Sequence, residues 1–147
     1  KYLYTLIAAE LEKHIVASNR KRLVFFAYSQ GTIILANTLF RLNKDFHYSQ
    51  HLDIIEVYLF ANIGPLRIPD KIQHVEIFIN KNDSFCGLGY LSNNFYKKFE
   101  DCERVHLFTS DYPLYNHTLQ SYIDLLKLKT FINKDGIESK ILEYIKQ

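Results

Sequence analysis

The chain has 147 residues, 48% hydrophobic and 23% charged, a balance that suits one folded domain with a real core. Its net charge is +2 with no basic block, which argues against nucleic acid as a partner. No apolar stretch approaches the ~20 residues that span a bilayer, so no transmembrane segment is expected. Two cysteines, Cys86 and Cys102, make no disulfide framework, and neither has zinc-ligand spacing. They either pair across one long loop or stay free. No signal-peptide pattern stands at the start as given. The chain opens on Lys1 and contains no methionine, which marks it as a processed product or a piece of a longer protein.

Residues 2–16 read as an amphipathic helix, with Leu3, Ile7, Leu11 and Ile15 recurring every four residues. His14 falls at its border. A polar turn follows, ending in Arg20-Lys21-Arg22, a solvated loop before a strand. Residues 23–28, Leu-Val-Phe-Phe-Ala-Tyr, form a continuous apolar run suited to a strand buried on both faces. Ser29-Gln30-Gly31 interrupts it, and apolar residues then resume at helical spacing through Leu39 and Leu42. A buried strand, a short turn with a serine, and a helix make a nucleophile elbow. In that reading Gly31 allows close approach of strand and helix. The backbone N–H of Gln30, at the helix N-terminus, can donate to an oxyanion.

Residues 43–53 read as a polar connection dotted with aromatics. His47 and His51 stand there at i and i+4, but no carboxylate pattern accompanies them, so no metal site is expected. Residues 54–61 and 75–80 are the second and third strands, joined by a loop with turn signals at Gly64-Pro65 and Pro69. A long loop, 85–103, precedes a fourth strand at 104–109. Asn116 is placed to cap a helix carrying Leu119, Tyr122, Ile123 and Leu126 on one face. A last amphipathic helix covers 137–145. Short apolar strands with crossovers long enough for parallel pairing indicate a single α/β domain over 1–147, with a mainly parallel sheet flanked by helices.

Ligands in such sheets sit beyond the carboxyl ends of the strands. Ser29 ends the first strand, Asp83 lies just past the third, and His117 follows the fourth. Ser, Asp, His is the chain order of an α/β-hydrolase triad. A serine hydroxyl needs a base within hydrogen-bond reach, and His117 is placed to be that base. Asp83 would hold the imidazole in the required tautomer. His106 is a rival base, but it falls inside a strand, and Asp111 is a rival acid on the wrong loop. Asn82-Asp83-Ser84 and Asn116-His117-Thr118 match the glycosylation acceptor pattern, and chance explains both more easily.

Ala27-Tyr28-Ser29-Gln30-Gly31-Thr32, with Asp83 and His117 at later strand ends, resembles the α/β-hydrolase superfamily. The Tyr-Ser-Gln-Gly core and Asn-Asp-Ser-Phe-Cys, from Asn82 to Cys86, are similar to those of cutinase-like serine esterases. The usual first glycine of the elbow is Ala27 here. The resemblance implies hydrolysis of a small-molecule or lipid ester through an acyl-enzyme, without metal or cofactor. It assigns Ser29 as nucleophile, Asp83 as acid, His117 as base and Gln30 as oxyanion donor. It also implies strands upstream of the elbow strand and a loop there carrying a second oxyanion donor. Only one helix precedes the elbow in this chain, and no His-Gly-Gly-type loop is present. The competing expectation is a non-catalytic interaction module on a hydrolase scaffold within a larger protein.

Overall fold

The computed structural model describes residues 1–17, 21–61, 68–80, 82–83, 105–108 and 117–127. Four strands form one sheet: β1 (Leu23–Tyr28), β2 (Ile55–Phe60), β3 (His74–Asn80) and β4 (Val105–Phe108). They lie in the order β1-β2-β3-β4, and every neighbouring pair is parallel. The helices are α1 (Tyr2–Val16), α2 (Gln30–Lys44), the single turn α3 (Phe46–Ser49) and α4 (Leu119–Lys127). This is an α/β arrangement with a parallel sheet, as the strand spacing indicates.

Alternation along the strands gives the sheet two unlike faces. One face is aliphatic. Ile55, Val57 and Leu59 of β2 join Val75 of β3 in a cluster with Ile7, Ala8 and Leu11 of α1 and Leu35, Leu39 and Leu42 of α2. Those helical positions follow the i, i+3, i+4, i+7 rule, which is why α1 and α2 both lie on this side. The other face is aromatic. Phe26 stacks on Tyr58 (5.1 Å between ring centroids), Phe60 on Phe78 (5.0 Å), and Phe78 on the His106 imidazole (4.7 Å). Tyr122 of α4 meets Phe60 edge-on at 6.2 Å, which docks α4 on this second side.

Burial on both faces, expected of β1, is found in β2 instead. All six residues of β2 are buried, whereas β1 is only partly buried and Phe26 is 42% exposed. The reason is position: β2 lies between two partners, and β1 has a partner on one side only among the described residues. The second residue of β2 is Glu56. It is buried and satisfied by the Tyr58 hydroxyl, which donates to it, and by Arg22 at 3.4 Å.

The connection expected at 43–53 is more ordered than its composition suggests. α2 runs on to Lys44, Asp45 caps α3 by accepting the His47 N–H at 3.0 Å, and a 3-10 turn covers Leu52–Ile54. His47 pairs with Glu12 of α1 at 2.5 Å. Among the described residues no group of three or more metal-ligating side chains converges. No described helix is long and apolar enough to cross a membrane. Both cysteines, the 85–103 loop, Asp111, Asn116 and the helix expected at 137–145 lie outside the described residues.

The role expected of Gly31 is not the observed one. A Cβ built there would meet none of the described residues within 4 Å, so β1 and α2 do not crowd it. The close packing falls on the next residue, Thr32, which is fully buried. Gly31→Ala therefore gains helix propensity without a clash, and chemical denaturation should show a stability increase of about 0.5 kcal/mol.

Candidate active site

In a parallel sheet every strand ends at the same rim, and the three candidate residues follow three of those ends. The chain leaves β1 at Tyr28 and turns at once into α2, with Ser29 as the N-cap residue. Ser29 has φ 52° and ψ −125°, a left-handed conformation that L-residues rarely adopt. Its neighbours hold it there. The Ser29 N–H donates to the Phe60 carbonyl at the end of β2 (3.0 Å), and the Ser29 carbonyl accepts from the Thr32 N–H (3.0 Å) and the Thr32 hydroxyl (2.6 Å). The buried Thr32 therefore acts as a clasp on the turn. Ala61, at the end of β2, also has a positive φ of 50°, and its N–H bonds the Phe78 carbonyl at 3.1 Å.

Asp83 follows β3 through a tight turn that Asn80 organises. The Asn80 carbonyl accepts the Asp83 N–H and the Asn80 side-chain oxygen accepts the Asn82 N–H, both at 3.0 Å. This is the local hydrogen bonding for which asparagine suits a strand end. The Asp83 carboxylate is completely buried. A buried carboxylate must be hydrogen-bonded, and this one is. Oδ2 accepts from His117 Nδ1 at 2.6 Å and from the Tyr122 hydroxyl at 3.3 Å.

His117 lies in the turn before α4. Its other ring nitrogen, Nε2, is 2.8 Å from Ser29 Oγ. One imidazole therefore links the ends of β1 and β3, which are separated by β2 and so by roughly 10 Å of sheet width. With an ionised Asp83 able only to accept, Nδ1 carries the proton and Nε2 is left as the acceptor for the serine hydroxyl.

Two tyrosines that the sequence pattern does not single out fix this geometry. The Tyr28 hydroxyl donates to the His117 backbone carbonyl, and its ring lies 5.5 Å from the imidazole. The fully buried Tyr122 accepts the Asn80 N–H (3.2 Å) while donating to Asp83, which ties α4 to the turn after β3. The legible signal for both was a tyrosine in an otherwise apolar stripe, since a buried phenol needs a partner. His106 is far from this arrangement in role: it is held inside the sheet by Glu76 at 2.6 Å and by stacking on Phe78.

Gln30 opens α2, and its N–H is among those that a helix leaves without an i−4 acceptor. Its side chain is exposed. Comparison with protein families, with characterised proteins and with solved structures gave no match.

Replacing Ser29 separates strain from chemistry. Positions held in such a conformation cost about 1–3 kcal/mol, and only glycine escapes that cost. Ser29→Gly should be about 1 kcal/mol more stable than Ser29→Ala by denaturant titration. Tyr122→Phe strands the Asn80 N–H and removes a donor from a buried carboxylate, so it should lower stability by about 1–3 kcal/mol in the same assay.

Proposed function

We propose that the chain is a serine hydrolase of the α/β-hydrolase type, cleaving a carboxylic ester or thioester through an acyl-enzyme. The observation that carries this reading is the unbroken relay from Ser29 Oγ through His117 to Asp83, at 2.8 Å and 2.6 Å. Three groups from distant parts of the chain meet in the order and tautomer that proton transfer needs. The same distances support an enzyme over the non-catalytic module, which has no need of an imidazole joined to both a serine and a buried carboxylate.

The roles follow from the geometry. Ser29 Oγ attacks the ester carbonyl as Nε2 of His117 takes its proton. The buried Asp83 carboxylate holds the ring and stabilises the imidazolium. The tetrahedral oxyanion is stabilised by the Gln30 N–H at the start of α2, where the helix dipole also favours negative charge. The intermediate collapses, the bond to the leaving oxygen or sulfur breaks, and His117 returns the proton to that atom. Water then repeats the sequence on the acyl-enzyme: His117 takes its proton, and Ser29 leaves with the proton restored. No metal or cofactor enters these steps. The strained φ of Ser29 fits the same reading, because strain collects where the structure holds a reacting group in place.

A fluorophosphonate probe should label Ser29, and both Ser29→Ala and His117→Ala should abolish the label. Asp83→Asn should lower kcat by about 10³–10⁴-fold through loss of the required tautomer. Failure of the unaltered protein to react with the probe would remove the hydrolase reading.

A further inference from the structure

A cavity of about 250 Å³ opens on the aromatic face of the sheet, beside the rim that carries Ser29. Among the described residues it is lined by Phe26, Ala27, Tyr28, Phe60, Leu119 and Ile123. Three of them are tied to the relay itself. Tyr28 precedes Ser29 and bonds the His117 carbonyl through its hydroxyl. Phe60 accepts the Ser29 N–H through its carbonyl at 3.0 Å. Leu119 opens α4 two residues after His117. Phe26 and Leu119 are each 42% exposed, so large apolar surface faces solvent next to the reacting serine.

The described lining is apolar. Among the described residues Phe26, Ala27, Phe60, Leu119 and Ile123 bring no polar side-chain group, and the hydroxyl of Tyr28 is engaged by the His117 carbonyl. A charged or sugar-like arm laid against these residues would lose hydration and gain no partner from them. A hydrocarbon arm loses nothing and covers the exposed rings. The volume sets how much of the arm is covered. On the scale of an apolar cavity of about 150 Å³ that holds benzene, with its six carbons, 250 Å³ covers roughly ten. Leu119 and Ile123 stand one helical turn apart and form the α4 side of the lining.

We propose that this cavity binds the hydrocarbon arm of the substrate ester, and that the protein acts on short- to medium-chain esters of up to about ten carbons in that arm. The inference rests on the hydrolase reading of Ser29. The arm is either the acyl chain or the alkyl chain of the alcohol, since both flank the carbonyl that Ser29 attacks.

The test is two ester series assayed on the protein. In one, p-nitrophenyl esters run from acetyl to palmitoyl. In the other, alkyl acetates run over the same lengths, with release of acetate followed. In one series kcat/KM should climb about fourfold per methylene, reach an optimum at or below about ten carbons, and fall for the longest chains. The series with the optimum identifies which arm the cavity takes. Leu119→Trp, at an exposed position, should narrow the cavity and move the optimum to shorter chains. Ile123→Ala should deepen it and move the optimum to longer ones. Ester turnover with no length dependence in either series, or an optimum that neither variant moves, overturns the cavity assignment and leaves the hydrolase reading standing. Absence of both turnover and fluorophosphonate labelling overturns the hydrolase reading and this inference with it.

Discussion

The constraint on which the rest depends is that all four strands run the same way. Parallel register sends the ends of β1, β2 and β3 to one rim, so residues more than fifty positions apart in the chain emerge side by side. Ser29 and Asp83 leave from strands that are not neighbours, and His117 spans the width of β2 between them. Had any one of these strands run antiparallel, its turn residue would stand at the opposite edge. No side-chain rotamer could then restore the contact. The His117 imidazole is accordingly placed by topology first and by its two short bonds second.

Tension at that rim is balanced by bonds that reach across strands. Ser29 and Ala61 both leave their strands in the left-handed region, and each is anchored by its N–H to a carbonyl of the next strand, Phe60 and Phe78 respectively. Thr32 holds the carbonyl of Ser29 from the first turn of α2. Such strain persists only where the surroundings over-determine it. On the far side of the imidazole, Tyr28 and Tyr122 hold the His117 backbone and the Asp83 carboxylate. Neither phenol touches the serine in these contacts, yet the line from Oγ to Asp83 depends on where they sit.

The two faces of the sheet divide the work. The aliphatic face, closed by α1 and α2, buries the large clustered core that gives the domain its stability. The aromatic face carries the buried Glu56 with Tyr58 and Arg22, the Glu76–His106 pair, the tyrosine that docks α4, and the apolar cavity beside Ser29. Stacked rings suit this second role. They bury area with few degrees of freedom, and their phenol and imidazole relatives bring partners for polar groups without breaking the stack.

The sequence alone determined the helix over residues 2–16, the bounds of β1, the serine at its end, and the order Ser, Asp, His along the chain. Those features are local. A run of apolar residues, a break in it and a periodicity of 3.6 are written in consecutive positions, and a strand-end turn residue can be read from its neighbours. The tertiary structure decided what depends on non-neighbours. It placed β2 rather than β1 at the buried centre, because burial of a strand depends on how many partners flank it. It ordered 43–53 into α3 and a 3-10 turn, with Asp45 as a cap and Glu12 of α1 as partner to His47. It moved the close contact of the elbow from Gly31 to Thr32, since which residue faces the packed side is a matter of helix phase against the sheet. Above all it set the 2.8 Å and 2.6 Å that join Ser29, His117 and Asp83. Chain order can suggest that meeting, but only the register of parallel strands and the docking of α4 through Tyr122 bring the three side chains within hydrogen-bond reach.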